Sequence, residues 1–282
     1  MGLRINTNVA SLNSQRQLGK TRLALQKTLE KLSSGERINR AGDDAAGLAI
    51  SENLRAQIRG LGQAERNAED GISLVQIAEG GLAEHSNILI RLRELAIQAA
   101  SDTVSNTERK FLNVEFEQLI DEMDRIANST EFNRVPLLNG TGAVFDIQIG
   151  TRNDPLVDRI TFDAASADVN VSALGLNLAS VLDKISAQNS LAAIDDSILM
   201  VNGIRADFGA LQNRLQSTIN SIQISRENLA AAKSRVRDAD IAKETADLTR
   251  HNIMFSAGTA VLAQANSISK NALTLINSAT NM

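Results

Sequence analysis

Apolar positions recur at steps of three and four along most of this chain, and that periodicity predicts long amphipathic helices. From residue 5 to 32, Ile5, Val9, Leu12, Leu18, Leu25, Leu29 and Leu32 fall on one stripe. The stretch SSGERINRAGDDAAG (Ser33 to Gly47), rich in glycine and small polar residues, interrupts it. Ser33, Ser34 and Gly35 read as a helix end, and Asp43 or Asp44 is placed to cap the next helix by accepting from its free N–H groups. That next helix is predicted over about 44–100. Its stripe runs Leu54, Ile58, Leu61, Glu65, Ala68, Ile72, Val75, Glu79, Leu82, Ser86, Leu89, Arg93 and Ala96, a heptad seam with several polar lapses. A helix of that length spans roughly 80 Å, more than a compact globule holds. Gly80-Gly81 is the position where it would bend.

After a turn at Ser101 to Lys110, Asn106 or Thr107 can cap a third helix over about 107–128, striped by Leu112, Phe116, Leu119, Met123 and Ile126. The texture then changes. Residues 129–175 contain both prolines, several glycines and two alternating runs, Val144 to Ile149 and Arg159 to Phe162, which read as a hairpin whose loop includes Arg152 to Pro155. Helical spacing returns from about 177 to 235 through Leu191, Ile194, Ile198, Val201, Ile204, Phe208, Leu211, Leu215, Ile219 and Ile222. A second soft spot at Ser234 to Asp240 precedes a last helix striped by Met254, Ala257, Val261, Ala265, Ile268, Ala272 and Leu275.

The order of elements is nearly palindromic. It predicts a mainly α fold, the chain doubled back on itself as long antiparallel helices in a coiled-coil rod, with a small β-hairpin region between the halves. Terminal helices 1–32 and 240–282 pair with each other. Segments 33–47 and 234–240 connect them to a helical domain, 44–235, that carries the hairpin region at about 129–175.

Composition narrows this further. Of 282 residues only 2% are aromatic and two are proline, so the core is aliphatic and helices are little interrupted. The net charge is −4 with signs interspersed, and no basic block or interleaved aromatics speak for nucleic acid. No long apolar run suits membrane insertion, and the N-terminus lacks the apolar core of a cleavable signal. Gly2 would invite myristoylation, but Asn6 stands where Ser or Thr is needed. Cysteine is absent, which excludes disulfides and thiolate chemistry.

Candidate chemistry is sparse. Gly19-Lys20-Thr21 resembles the tail of a phosphate loop, but Ser14 replaces the required glycine and no strand precedes it. Asp43-Asp44 has no third metal ligand nearby, and His85 and His251, the two histidines, have no marked nucleophile. Asn128, Asn139 and Asn170 begin glycosylation sequons, a short and common signal. No catalytic, cofactor or metal site is expected. What remains is apolar surface. A single antiparallel pair of terminal helices buries one face of each, and its gross burial is largely offset by the entropy of ordering about 70 residues. The two ends are therefore expected to be disordered in a free subunit and to fold on assembly.

Several longer motifs carry a specific likeness. INTNVASLNSQRQL (Ile5 to Leu18), LSSGERINRAGDDAAGLAIS (Leu32 to Ser51), RNAEDGISLVQIAEGGL (Arg66 to Leu82), RLRELAIQAAS (Arg91 to Ser101), FNRVPLLNG (Phe132 to Gly140), LQNRLQSTINSI (Leu211 to Ile222), ENLAAAKSRVRDADIAKE (Glu227 to Glu244) and AVLAQANSI (Ala260 to Ile268) appear in order from end to end. The chain closely resembles bacterial flagellins, the subunits of the flagellar filament, in a short form without variable outer domains. The resemblance implies a secreted, extracellular structural subunit for motility that polymerises with itself. The terminal stripes Ile5, Val9, Leu12, Leu18, Leu25, Leu29, Leu32, Met254, Val261, Ala265, Ile268 and Leu275 would form its polymerisation core, and segments 33–47 and 234–240 the spokes to an outer layer. It implies unfolded type III export, an export chaperone at the C-terminal helix, and filament cap and hook-junction proteins as further partners. It also implies recognition by the animal innate receptor TLR5 through Arg91, Leu95 and Glu115, with Gln212, Asn213 and Arg214 adjacent. The final residues, Ile276 to Met282, are more polar than is usual in the family. The alternatives are a hook–filament junction protein, which shares the terminal helices, and a secreted helical scaffold that does not polymerise.

Overall fold

A computed structural model describes the backbone of residues 7–280 and the side chains of residues 7–268, 270 and 271. Long helices dominate: α1 (Val9–Ser34), α2 (Ala45–Ala100), α3 (Asn106–Ser129), α4 (Lys184–Arg237) and α5 (Ile241–Thr280). Between α3 and α4 lie β1 (Glu131–Phe132), β2 (Val135–Pro136), β3 (Val144–Gln148), β4 (Arg159–Asp163) and a 3-10 turn at Ala164–Ser166. The chain forms two compact units. The first joins the stretch up to Ala56 to the stretch from Leu229 onward; the second is Gln57–Asn228. The division therefore falls inside α2 and α4.

In the second unit, the buried line of α2 is Ala64, Ala68, Gly71, Val75, Ala78, Leu82, His85, Leu89, Leu92, Ala96 and Ala99. This is a heptad seam, but it corrects the predicted one. Ala68, Val75, Leu82, Leu89 and Ala96 are shared, while every alternate position lies one residue earlier than predicted. The shift removes the charged lapses and leaves His85 as the polar one. Glu65, Glu79 and Arg93 move to the flank, where they pair with Arg226, Arg205 and Asp195 of α4, the last two at 2.8 and 2.7 Å. As positions on α2 rise, their partners on α4 fall, so the two helices run antiparallel.

The new seam is lined by small residues because the hairpin region packs into it. A Cβ on Gly71 would stand 2.6 Å from Ile147 Cδ1, and one on Gly81 would stand 2.7 Å from Leu138 Cδ1. Gly81 is thus a packing glycine, and α2 runs through Gly80-Gly81 without a break. The hairpin β3–β4 has the register Val144↔Asp163 to Gln148↔Arg159. Its Ile147 and Ile160 join Ala68, Leu215 and Ile219 in one cluster, and Phe162 packs in a tilted arrangement against Phe208 of α4, ring centroids 5.2 Å apart.

Three predicted boundaries move for local reasons. α3 is capped by Ser105, not Asn106 or Thr107, in a box that Glu108 completes by accepting the Ser105 N–H at 2.7 Å. α4 starts at Lys184 rather than about 177. Asn113 Oδ1 accepts from Val181 N–H at 3.1 Å and holds the preceding segment out of helix, and Asp183 then caps α4 by accepting from Ile185 and Ser186. α1 begins at Val9 with Asn8 as its cap, and Ile5, the first residue of the predicted stripe, lies outside the described residues. The β1–β2 hairpin was not predicted. It turns on Asn133 and Arg134, both with positive φ. Among the described residues no helix is long and apolar enough to cross a membrane.

Candidate assembly surface

In the first unit α1 and α5 pack antiparallel. Asn8 Nδ2 donates to the Ala265 carbonyl at 2.8 Å, Ser11 Oγ to Asn266 Oδ1 at 2.8 Å, and Lys31 Nζ meets Glu244 at 2.8 Å near the opposite end. Midway, a Cβ on Gly258 would stand 2.9 Å from Leu18 Cδ1, so the helices approach closely there.

The residues buried by this pairing overlap the predicted apolar stripe only at Ala265. On α1 they are Ser11, Thr21 and Thr28, and on α5 they are Glu244 and Ala265. Small polar side chains allow close approach; Thr21 Oγ1, for example, satisfies itself on the Gln17 carbonyl at 3.1 Å. The large apolar side chains turn outward instead. Val9, Leu12 and Leu29 are 64%, 56% and 48% exposed, and Met254, Val261 and Ile268 are 41%, 57% and 50% exposed. Leu18, Leu25 and Leu32 are half-buried. Leu23 and Ile253, which the predicted stripe omitted, are among the most exposed of all at 68% and 65%. The side chain of Leu275 lies outside the described residues. Grooves flank the seam, one lined by Gln15, Leu18, Gly19, Arg22, Leu25 and Phe255, the other by Ser14, Leu18, Thr21, Met254 and Val261. Apolar side chains thus stand exposed in ranks along both helices.

The interruption after α1 is held by named contacts. Gly35 ends α1 at φ +71°, and its N–H donates to the Lys31 carbonyl at 2.9 Å. Gly35 O accepts from Ala239 N–H at 2.9 Å, and Arg37 N–H donates to Arg237 O at 2.6 Å, so the two soft spots form one short antiparallel bridge. The Arg237 guanidinium lies 2.9 Å from Glu36 and also engages Glu52, whose pKa it draws below the ordinary value. Asp43 accepts from Asn39 and Arg40 N–H and pairs with Lys27 at 2.7 Å, which lowers its pKa; Asp44 accepts from Gly47 N–H at 2.8 Å. Both aspartates are therefore used in capping and turn closure. Among the described residues no cluster of His, Asp or Glu could hold a metal. Gly19, Lys20 and Thr21 lie inside α1, not in a loop.

In the second unit Arg91 donates to Glu115 at 2.9 and 2.7 Å and to Glu94 at 3.0 Å on the exposed side of α2 and α3. Leu95 is only 1% exposed and belongs to the core, so the exposed pair is Arg91 and Glu115. Asn139 Nδ2 donates to Asn128 Oδ1 at 3.2 Å and Asn170 Nδ2 to the Asn139 carbonyl at 2.8 Å, which gathers the three sequon asparagines together. Arg109 was missed by sequence reasoning. It is 7% exposed and closes the C-terminus of α2 by donating to Ala99 O at 2.8 Å and Ser101 O at 2.8 Å.

A pair of terminal helices with outward apolar ranks, joined by a bridged break to a helical unit with a β-hairpin, defines a subunit built for helical self-assembly. Comparison with known proteins gives the family. Residues 5–143 match the bacterial flagellin N-terminal helical region and residues 191–276 the bacterial flagellin C-terminal helical region. The chain is 47% identical to a flagellin of Halalkalibacterium halodurans over 93% of this chain and 95% of the relative. It is 42% identical to the flagellar filament 33 kDa core protein of Treponema phagedenis over 96% of this chain and 99% of that one. Among solved structures it is similar to Bacillus cereus flagellin, with 35% identity and a TM-score of 0.51 over 60% of this chain and 94% of that one. The chain belongs to the bacterial flagellin family. It is a structural subunit that polymerises into the extracellular flagellar filament for motility.

Proposed function

We propose that polymerisation proceeds through the outward apolar ranks of α1 and α5, and that these helices become fully ordered only when neighbouring subunits cover them. The observation that carries this reading is the share of the stripe left uncovered: the pair buries Ser11, Thr21, Thr28 and Ala265, half-buries Leu18, Leu25 and Leu32, and leaves Val9, Leu12, Met254 and Val261 exposed. A two-helix contact of that kind gains little from burial, whereas each exposed Leu, Ile or Val covered by a second copy gains about 1.5–3 kcal/mol. The bridged segments 33–47 and 234–240 serve as spokes that carry the chain from the filament core to the outer layer. Electron microscopy of the full chain beside residues 45–235 tests this. Filaments from the full chain alone support it; filaments from the shortened chain contradict it.

The same exposed rank on α5 suits an export chaperone that shields it before type III export, and the filament cap and hook-junction proteins would meet the same helices at the filament ends. The Arg91–Glu115 pair offers an exposed charged feature for TLR5. Loss of a receptor reporter signal with Arg91→Ala, at unchanged subunit stability, would support that reading, and an unchanged signal would oppose it.

A further inference from the structure

His85 is fully buried on α2, at 0% exposure, within the second unit. Its Nδ1 lies 3.0 Å from the Gly81 carbonyl of its own helix. Its Nε2 is shut off from solvent and makes no hydrogen bond of ordinary geometry, although the Met123 backbone of α3 bears on the ring. Burial favours the neutral imidazole, with Nδ1–H donating to the Gly81 carbonyl, and Nε2 is then where a second proton would arrive.

Assembly through the terminal helices makes no use of this group. The turn below it is tightly filled, with Gly81 against Leu138 and Thr130. The core around that level of α2 and α3 is apolar, including Leu82, Leu89, Met123 and Ala127. The charged group that bears on the ring is Asp124 of α3, and its carboxylate accepts from Val171 N–H at 2.9 Å.

We propose that His85 is an acid-sensing element of the second unit: a proton taken up from water at Nε2 places a positive charge in the α2–α3 packing and loosens it. Burial, the largest influence, pushes the ring below its ordinary value; the Gly81 and Met123 backbone and Asp124 act the other way and only partly offset it. The sign follows. The unfolded chain binds this proton at the ordinary imidazole value of about 6.5, the folded chain only at lower pH. Stability is therefore fully present above that value and falls as pH drops through it. The carboxylate ion pairs of the chain still stand in that window, so acid weakens the core before it weakens the surface.

The test is thermal unfolding of the full-length monomeric chain at about pH 7.5 and pH 5, beside His85→Leu and His85→Gln. The wild type should lose roughly 4–8 °C between the two conditions, and both variants should lose much less. Equal losses in all three would overturn the proposal. Should both variants fail to fold, the ring is followed directly by proton NMR, assigned against His251→Asn. A His85 midpoint below the ordinary imidazole value, or protonation that appears only with unfolding, supports it; a midpoint at or above that value in the folded chain overturns it.

Discussion

Asn8 serves both helices of the terminal pair: its Oδ1 accepts the Ser11 N–H at 3.0 Å and its Nδ2 donates to the Ala265 carbonyl at 2.8 Å. One side chain thus starts α1 and ties it to α5. Asn8→Ala should cost about 1–2 kcal/mol locally, from the lost cap and the lost tie. Hydrogen exchange should accelerate in the first turns of α1 while α2 and α3 keep their protection. Unchanged exchange in α1 would show that the pair does not depend on this residue.

Adjacent glycines should respond in opposite directions. A Cβ at Gly81 would crowd Leu138 and Thr130, whereas at Gly80 nothing lies within 4 Å. Gly81→Ala should destabilise the chain by about 1–3 kcal/mol through overpacking. Gly80→Ala should stabilise it by up to about 1 kcal/mol, because alanine is the better helix former. Urea midpoints of the two variants give the comparison.

Arg109 holds the end of α2 with donors to Ala99 O, Ser101 O and Asn106 Oδ1, the last at 2.7 Å. Replacing it with Met leaves buried carbonyls unpaired and should lower stability by about 2–4 kcal/mol. Lysine should rescue little, since it lacks the planar fork that reaches all three acceptors. Denaturant unfolding of Arg109→Met and Arg109→Lys decides this.

The break between α1 and α2 should be sensitive to strong acid. Asp43 has a lowered pKa from its hydrogen bond to Lys27, and Glu52 from its hydrogen bond to Arg237. A depressed carboxylate stabilises the fold above its unfolded pKa and loses that contribution as pH falls through its folded value. The bridge should therefore hold at neutral pH and loosen below the ordinary carboxylate range. Limited proteolysis at residues 33–47 should rise there, and Glu52→Gln should remove part of the change.

Much of this was legible because the chain is mostly long helices, where spacing repeats often enough to be read. The break at Gly35, the cap at Asp44 and the β3–β4 hairpin followed from residue type alone. The seam of α2 differs from its prediction by one residue at alternate positions because Ala64, Gly71, Ala78 and His85 are small or polar and mark a buried face less strongly than the neighbouring Ile72. Small residues there are dictated by Ile147 and Leu138, which arrive from distant sequence. The strands β1 and β2 are two residues each, too short for alternation to register, and Arg134 at positive φ gives no sign of a turn. The terminal stripe was found, but not its direction. Spacing shows which residues share a face, and only packing shows whether that face meets its own partner or a neighbour.

That direction is the central claim, and the critical concentration for polymerisation of Leu12→Gln combined with Val261→Gln tests it most directly. Both side chains are more than half exposed, so the monomer should unfold at the wild-type temperature. Polymerisation followed by sedimentation should require at least about tenfold more protein, because two apolar contacts between subunits are lost. Polymerisation at the wild-type concentration, into filaments of wild-type appearance, would contradict the account and place the assembly surface elsewhere.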